Sequence, residues 1–115
     1  MELNILKNIP HKEAVNLKEL VRIQEGQVVS KTLAQNNAVS ITVFAFDKNE
    51  EIGTHDSSGD AMVTVLEGTG SFTVDGKKYI LNQGETLVMP AKKPHSVFAE
   101  EAFKMLLVVV FPQNK

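Results

Sequence analysis

The chain has 115 residues, 43% of them hydrophobic, enough to fill the core of one domain without disulfides, and it contains no cysteine. Twelve basic residues against fourteen acidic leave a net charge of −2 with no basic cluster, which argues against a nucleic-acid partner. The longest apolar run, Met105 to Phe111, falls far short of the ~20 residues of a membrane-spanning helix, and Met1 to Lys7 lack the charged-then-apolar order of an export signal, so a soluble cytoplasmic protein is expected.

In chain order, Leu3 to Ile9 reads as an edge strand and Asn16 to Val21 as one helical turn. His11, between Ile9-Pro10 and Lys12-Glu13, sits in a polar, turn-like context and is expected to be solvated and uninvolved. From Val28 onward apolar residues recur at every second position, the period of a strand. Val39, Ile41, Val43 and Ala45 alternate with Ser40 and Thr42, until Phe44 and Phe46 make the second face apolar as well. Asp75-Gly76 tolerates positive φ at both central positions and predicts a two-residue hairpin turn. Glu67-Gly68, Gln83-Gly84 and Pro90 mark further corners, and Lys77-Lys78 and Lys92-Lys93 read as solvated turn charges.

The last strand, Phe103 to Phe111, is apolar on both faces after Lys104, so one face should line a barrel and the other pack against a second sheet or subunit. A homodimer is expected on that ground. Short strands separated by regular turn signals predict an all-β sandwich or barrel. No internal repeat or low-complexity segment interrupts residues 1–115, which read as a single domain.

Two histidines fall at the ends of this pattern: His55 precedes the run Ala61 to Leu66, and His95 follows the run Thr86 to Met89. The flanking segments resemble the paired motifs of the cupin superfamily, G-x5-H-x-H-x3,4-E-x6-G and G-x5-P-x-G-x2-H-x3-N. His55 falls on the first histidine, Ser57 on the second, Ala61 on the glutamate and Gly68 on the closing glycine. In the second motif Gly84 and Pro90 match, Lys92 replaces a glycine, His95 falls on the histidine and Ala99 replaces the asparagine. The resemblance covers about residues 38–111 and implies a single-domain jelly-roll β-barrel of the RmlC-like kind.

In that family three histidines and a glutamate hold a divalent transition metal, because imidazole and carboxylate suit such ions and must converge while leaving a position open. Here His55 and His95 alone remain of the four, as candidate ligands for Fe, Ni, Zn or Mn. Strand parity carries Ser57, Ala61, Val63 and Val65 on the face of His55 and leaves Asp56 and Asp60 on the other; a bulge at Ser58-Gly59 would bring Asp60 round as a third ligand. Gln35 or Lys31 of the preceding strand are further inward-reaching candidates. The plain alternative is that both histidines are pocket-lining imidazoles bonded to each other or to Ser57. Phe72, Phe98, Met62 and Met89 are candidate walls of an apolar ligand cavity, with core filling as the alternative.

No third group orients the Ser57 and His55 pair for nucleophilic chemistry, and no glycine-rich loop opens a helix for phosphate. Three functional readings follow: a small-molecule-binding cupin anchored by His55 and His95 and holding a metal weakly at most; a metal-dependent isomerase or oxygenase on a small organic substrate; and a dimerisation module without a ligand. Fold alone does not choose among them.

Overall fold

The computed structural model describes residues 5–113. Nine strands follow a short N-terminal segment: β1 Val28–Gln35, β2 Val39–Phe46, β3 Glu51–His55, β4 Asp60–Glu67, β5 Thr69–Val74, β6 Lys77–Asn82, β7 Thr86–Met89, β8 His95–Phe98 and β9 Phe103–Val110. They form two antiparallel sheets, five strands in the order β1-β2-β9-β4-β7 and four in the order β3-β8-β5-β6. The two inner faces share one core, the sandwich or barrel that the period-two pattern predicted, in the jelly-roll form that the family resemblance implied.

Each expected corner is present. Asp75 and Gly76 take φ of 49° and 84° between β5 and β6, as a two-residue hairpin turn requires, and Gly68 and Gly84 take φ of 78° and 88°. A Cβ at Gly68 would lie 2.7 Å from the Ala102 carbonyl oxygen, so the close approach of the β4–β5 corner to the start of β9 needs glycine there.

The core is closed by aromatic rings from both sheets. Phe46 of β2 and Phe103 of β9 stack at 4.8 Å between centroids, and Phe72 of β5 meets Phe103 edge-on at 6.0 Å. Met89, Met105, Val63 and Val65 belong to the same core cluster and are fully buried. Of the candidate cavity walls, Phe72 packs in this core against Phe103, and Met89 is buried in the same cluster beside Ala61.

The N-terminal expectation is met in one part. Asn16 precedes a single 3₁₀ turn, Leu17–Leu20, closed by the Glu19 N–H donating to the Asn16 carbonyl at 2.9 Å. Of the expected edge strand Leu3 to Ile9, residues 3 and 4 lie outside the described residues, and Ile5 to Ile9 form no strand. Positive φ at Asn8 (61°) and Lys12 (62°), with Pro10 between them, breaks the extended path. Two hydrogen bonds still fasten the segment to β1: the Lys7 N–H donates to the Leu33 carbonyl and the Asn8 amide to the Thr32 carbonyl, both at 2.8 Å, where a bulge interrupts the β1–β2 ladder.

That segment answers, for half of β9, what covers its second apolar face. Ile9, Leu17, Leu20, Val21 and Ile23 pack on Leu33, Val43, Ala45 and Leu106, on the outer side of the five-stranded sheet. The buried Lys104 donates from Nζ to the Lys18 carbonyl at 2.7 Å and pins the 3₁₀ turn to the sheet. For that half of the face the cover is the chain's own N-terminal segment. Beyond it, Met62, Val88 and Val110 remain exposed, with Val108 paired between Ile41 and Met62. Met62 points outward from β4 and lines no interior cavity.

Phe103→Ala removes the ring shared by the other two aromatics and should cost about 3–5 kcal/mol. Urea unfolding checks this as a lower midpoint at unchanged slope; a loss under about 1 kcal/mol would mean the plug is not what closes the barrel.

Candidate functional site

His55 and His95 are brought together by the pairing of β3 with β8. Glu51 pairs with Phe98, Ile52 with Val97 and His55 with His95. Between the last two pairs β3 carries one residue more than β8, a bulge at Gly53 and Thr54 opposite Ser96. In a regular ladder Thr54 would oppose His95. The extra residue places His55 there instead, so a bulge does set this site, but it lies before His55 and not at Ser58-Gly59. The readable signal was Gly53 inside a strand pattern, a usual mark of a bulge.

The two rings meet edge to face, 4.3 Å between centroids and 68° between planes. His95 faces the interior with Val97 and is 4% exposed, while His55 stands exposed at the rim. The Nδ1 of His55 lies 2.8 Å from the Gly53 carbonyl and that of His95 3.2 Å from the Lys93 carbonyl. A carbonyl only accepts, so each ring donates Nδ1–H to its own backbone and keeps the Nε2 lone pair for a ligand. Neither ring bonds to Ser57 or to the other ring among the described residues.

Two loops hold this pair in place. The Lys92 N–H donates to the Ser57 carbonyl at 2.7 Å and the Ala91 N–H to Asp60 Oδ1 at 2.9 Å, tying the β7–β8 corner to the β3–β4 loop. Lys92 takes φ of 64°, the left-handed backbone that glycine adopts freely, at the position where the cupin motif carries glycine. The Ser57 hydroxyl accepts from the Gly59 N–H at 3.1 Å and so serves its own turn.

Asp60 accordingly serves as a backbone clamp. Its exposed position on the outward face of β4, opposite in parity to the buried Ala61, Val63 and Val65, follows the period-two reading. Among the described residues no group of three His, Cys, Asp or Glu side chains is placed to hold a metal ion. Two imidazoles, a hydroxyl engaged elsewhere and an alanine do not make the three- or four-ligand set that a catalytic divalent metal requires.

The remaining candidates separate by face. Phe98 lies on the outward side of β8, paired with Ser71 and Glu51, because alternation turns Val97 inward and its neighbours out. Lys31 pairs with Val43 on the outer side of the five-stranded sheet, whereas Gln35 pairs with Ser40 at the histidine end of the inner side. Clefts of about 570 and 260 Å³ lie where Phe111 and Pro112 pass Ser58, the first also lined by Asn36, Asn37 and Gln113. Neither is lined by His55 or His95.

Known proteins agree with this frame. Residues 42–111 match the cupin domain family, and the chain belongs to it. A conserved protein of unknown function from Streptococcus pyogenes, known from its crystal structure, is 46% identical over 97% of this chain and 98% of its own, with a TM-score of 0.95. A cupin superfamily protein from Desulfitobacterium hafniense is 33% identical over 93% of this chain and 98% of its own, with a TM-score of 0.89. An uncharacterised protein of Aquifex aeolicus is 28% identical over 103 residues, 88% of this chain and 85% of its own.

Burial holds the His95 imidazole below its usual pKa, reinforced by His55 and partly offset by the Lys93 carbonyl and Asp56. The folded state therefore resists the proton that the unfolded chain accepts near pH ~6.5. Stability is full above that pH and is lost as pH falls from there through the folded-state pKa. Urea midpoints should drop between pH 7 and pH 5, and His95→Gln should flatten that part of the profile; an unchanged slope in the variant would remove His95 as its source.

Proposed function

We propose that this cupin-domain protein binds a small organic molecule at the histidine end of the barrel, with His55 and His95 as polar anchors. One observation carries the reading: both Nδ1 atoms are committed to backbone carbonyls, so two Nε2 acceptors are kept at one spot, one buried and one at the rim. A pocket with an apolar wall and a few fixed polar groups is how small ligands are usually held. The second reading, a metal-dependent isomerase or oxygenase, draws on the same free nitrogens, since a metal would also take Nε2. It is weakened by the lack of a third ligand among the described residues.

Elemental analysis of untagged protein, with mass spectrometry of the small molecules released on denaturation, separates the two. The binding reading expects well under one equivalent of Fe, Ni, Zn or Mn and a co-purifying organic compound that is lost from His55→Ala and His95→Ala. One equivalent of metal, retained through dialysis and lost in both variants, would decide for the metal enzyme.

A homodimer belongs to the same proposal. Ile41, Val108, Met62 and Val88 form a cross-strand row on the outer side of the five-stranded sheet, and Met62 and Val88 are 42% and 51% exposed. A sheet face of this kind is commonly hidden by association. Sedimentation equilibrium should show a dimer for the native chain and a monomer for Met62→Lys with Val88→Lys; a native monomer would sink this part.

A further inference from the structure

We infer that Thr32, Ser40 and Thr42 form the specificity wall of this pocket, and that its ligand is a neutral, polyhydroxylated molecule of sugar type. The inference rests on the binding reading above and adds the chemistry of what is bound.

The inner side of β2 changes character along its length. At the aromatic end it presents Phe44 and Phe46, paired with Met105 and Phe103. Toward the other end the same side presents Thr42, paired with Leu107 and with Thr32 of β1, and then Ser40, paired with Val109. Register carries these rows onward to β4, since Leu107 pairs with Val63 and Val109 with Ala61. Ala61 follows directly on the loop from His55, so the hydroxyl rows and the histidines share one end of the barrel. One side of the interior is hydroxyl-bearing and the adjoining β9 and β4 surface is aliphatic.

Such hydroxyls are costly in a filled core. A threonine is not a neutral stand-in for valine, and a polar group shut away without a partner is penalised. Thr42 is only 9% exposed. Among the described residues none of the three hydroxyls has a side-chain hydrogen bond to the protein, and no sealed polar side-chain atom is left unpartnered. They therefore open onto the interior, and Leu107, inward-facing in the middle of β9, keeps partial exposure as well. The hydroxyl-bearing rows thus keep some exposure, whereas Phe46, Phe72 and Phe103 at the aromatic end keep none.

The wall's chemistry selects the ligand. Hydroxyls both donate and accept, and Nε2 of a neutral imidazole accepts, so the complementary partner is a set of hydroxyl groups. A carboxylate would want a cation beside it, yet Lys31 and Lys104, the lysines of β1 and β9, sit on the opposite side of the sheet, and Lys92 and Lys93 are exposed on the corner before His95. Leu107, Val109 and Ala61 offer an aliphatic surface for the C–H face of a ring.

D-ribose, with tetrahydrofuran as a ring of similar size lacking the hydroxyls, tests this by NMR titration of the isotope-labelled chain. Ribose is expected to shift the amide signals of Ser40, Thr42 and Leu107 and the His95 ring signals, while tetrahydrofuran binds more weakly. Thr42→Val should lower ribose affinity roughly three- to tenfold, the worth of one neutral hydrogen bond, without lowering the urea midpoint. Ser40→Ala provides a second, rim-side variant with the same expected direction.

Equal ribose affinity in both variants, tetrahydrofuran binding as tightly as ribose, or no response to ribose at the wall overturns the inference. Ribose shifts confined to the histidines, abolished by His95→Gln and untouched by Thr42→Val, would refute the hydroxyl wall and leave the histidine-anchored pocket standing. Wall shifts that survive His95→Gln would do the reverse.

Discussion

Phe103 is the point on which the two sheets close. It stacks on Phe46 within the five-stranded sheet and takes the edge of Phe72 from the four-stranded one. Three rings at one end of a small barrel exclude water from that end and set the separation of the sheets. The opposite end of the inner faces carries Ser40, Thr42 and the histidines. At the Phe103 end the aromatic rings fill a gap between sheets about 10 Å apart.

Within that frame the site depends on a local irregularity. Regular pairing from Ile52 and Val97 would set Thr54 against His95, so one inserted residue decides which side chain the buried imidazole meets. Gly53 then supplies both the backbone freedom for the bulge and the carbonyl that receives His55 Nδ1–H. On β8 the Lys93 carbonyl does the same for His95. Two backbone acceptors thus fix two tautomers without an acidic side chain. The loops behind them are held by Asp60, a carboxylate at the right height in the chain to be taken for a ligand but bonded instead to the Ala91 N–H.

The division of the outer sheet surface has a similar economy. Lys104 is a buried cation whose Nζ finds the Lys18 carbonyl, and this bond, with the Lys7 and Asn8 contacts to β1, lays the first part of the chain over the lower half of the sheet. The other half keeps its apolar row. The same strand, β9, therefore serves the core with Phe103, Met105 and Val109, the N-terminal segment with Lys104 and Leu106, and an open surface with Val108 and Val110.

Much of the architecture was legible in the residues themselves. Period-two alternation identified strands, Asp75-Gly76 identified its hairpin, and the spacing of His55, Gly68, Gly84, Pro90 and His95 pointed to the cupin frame and to a paired site, because backbone geometry and turn chemistry are local. Tertiary packing decided what each inward residue does. Alternation assigns a side chain to a face but does not say whether that face is pressed by the opposing sheet, so Phe72 and Met89 are buried in the core cluster, Phe98 and Met62 point outward, and Ser40 and Thr42, read only as the polar half of a pattern, lie on the inner side of β2. Register shifts are the other reason: a single bulge reverses parity beyond it, and whether it falls at Gly53 or at Gly59 depends on which carbonyls and amides the neighbouring strand presents.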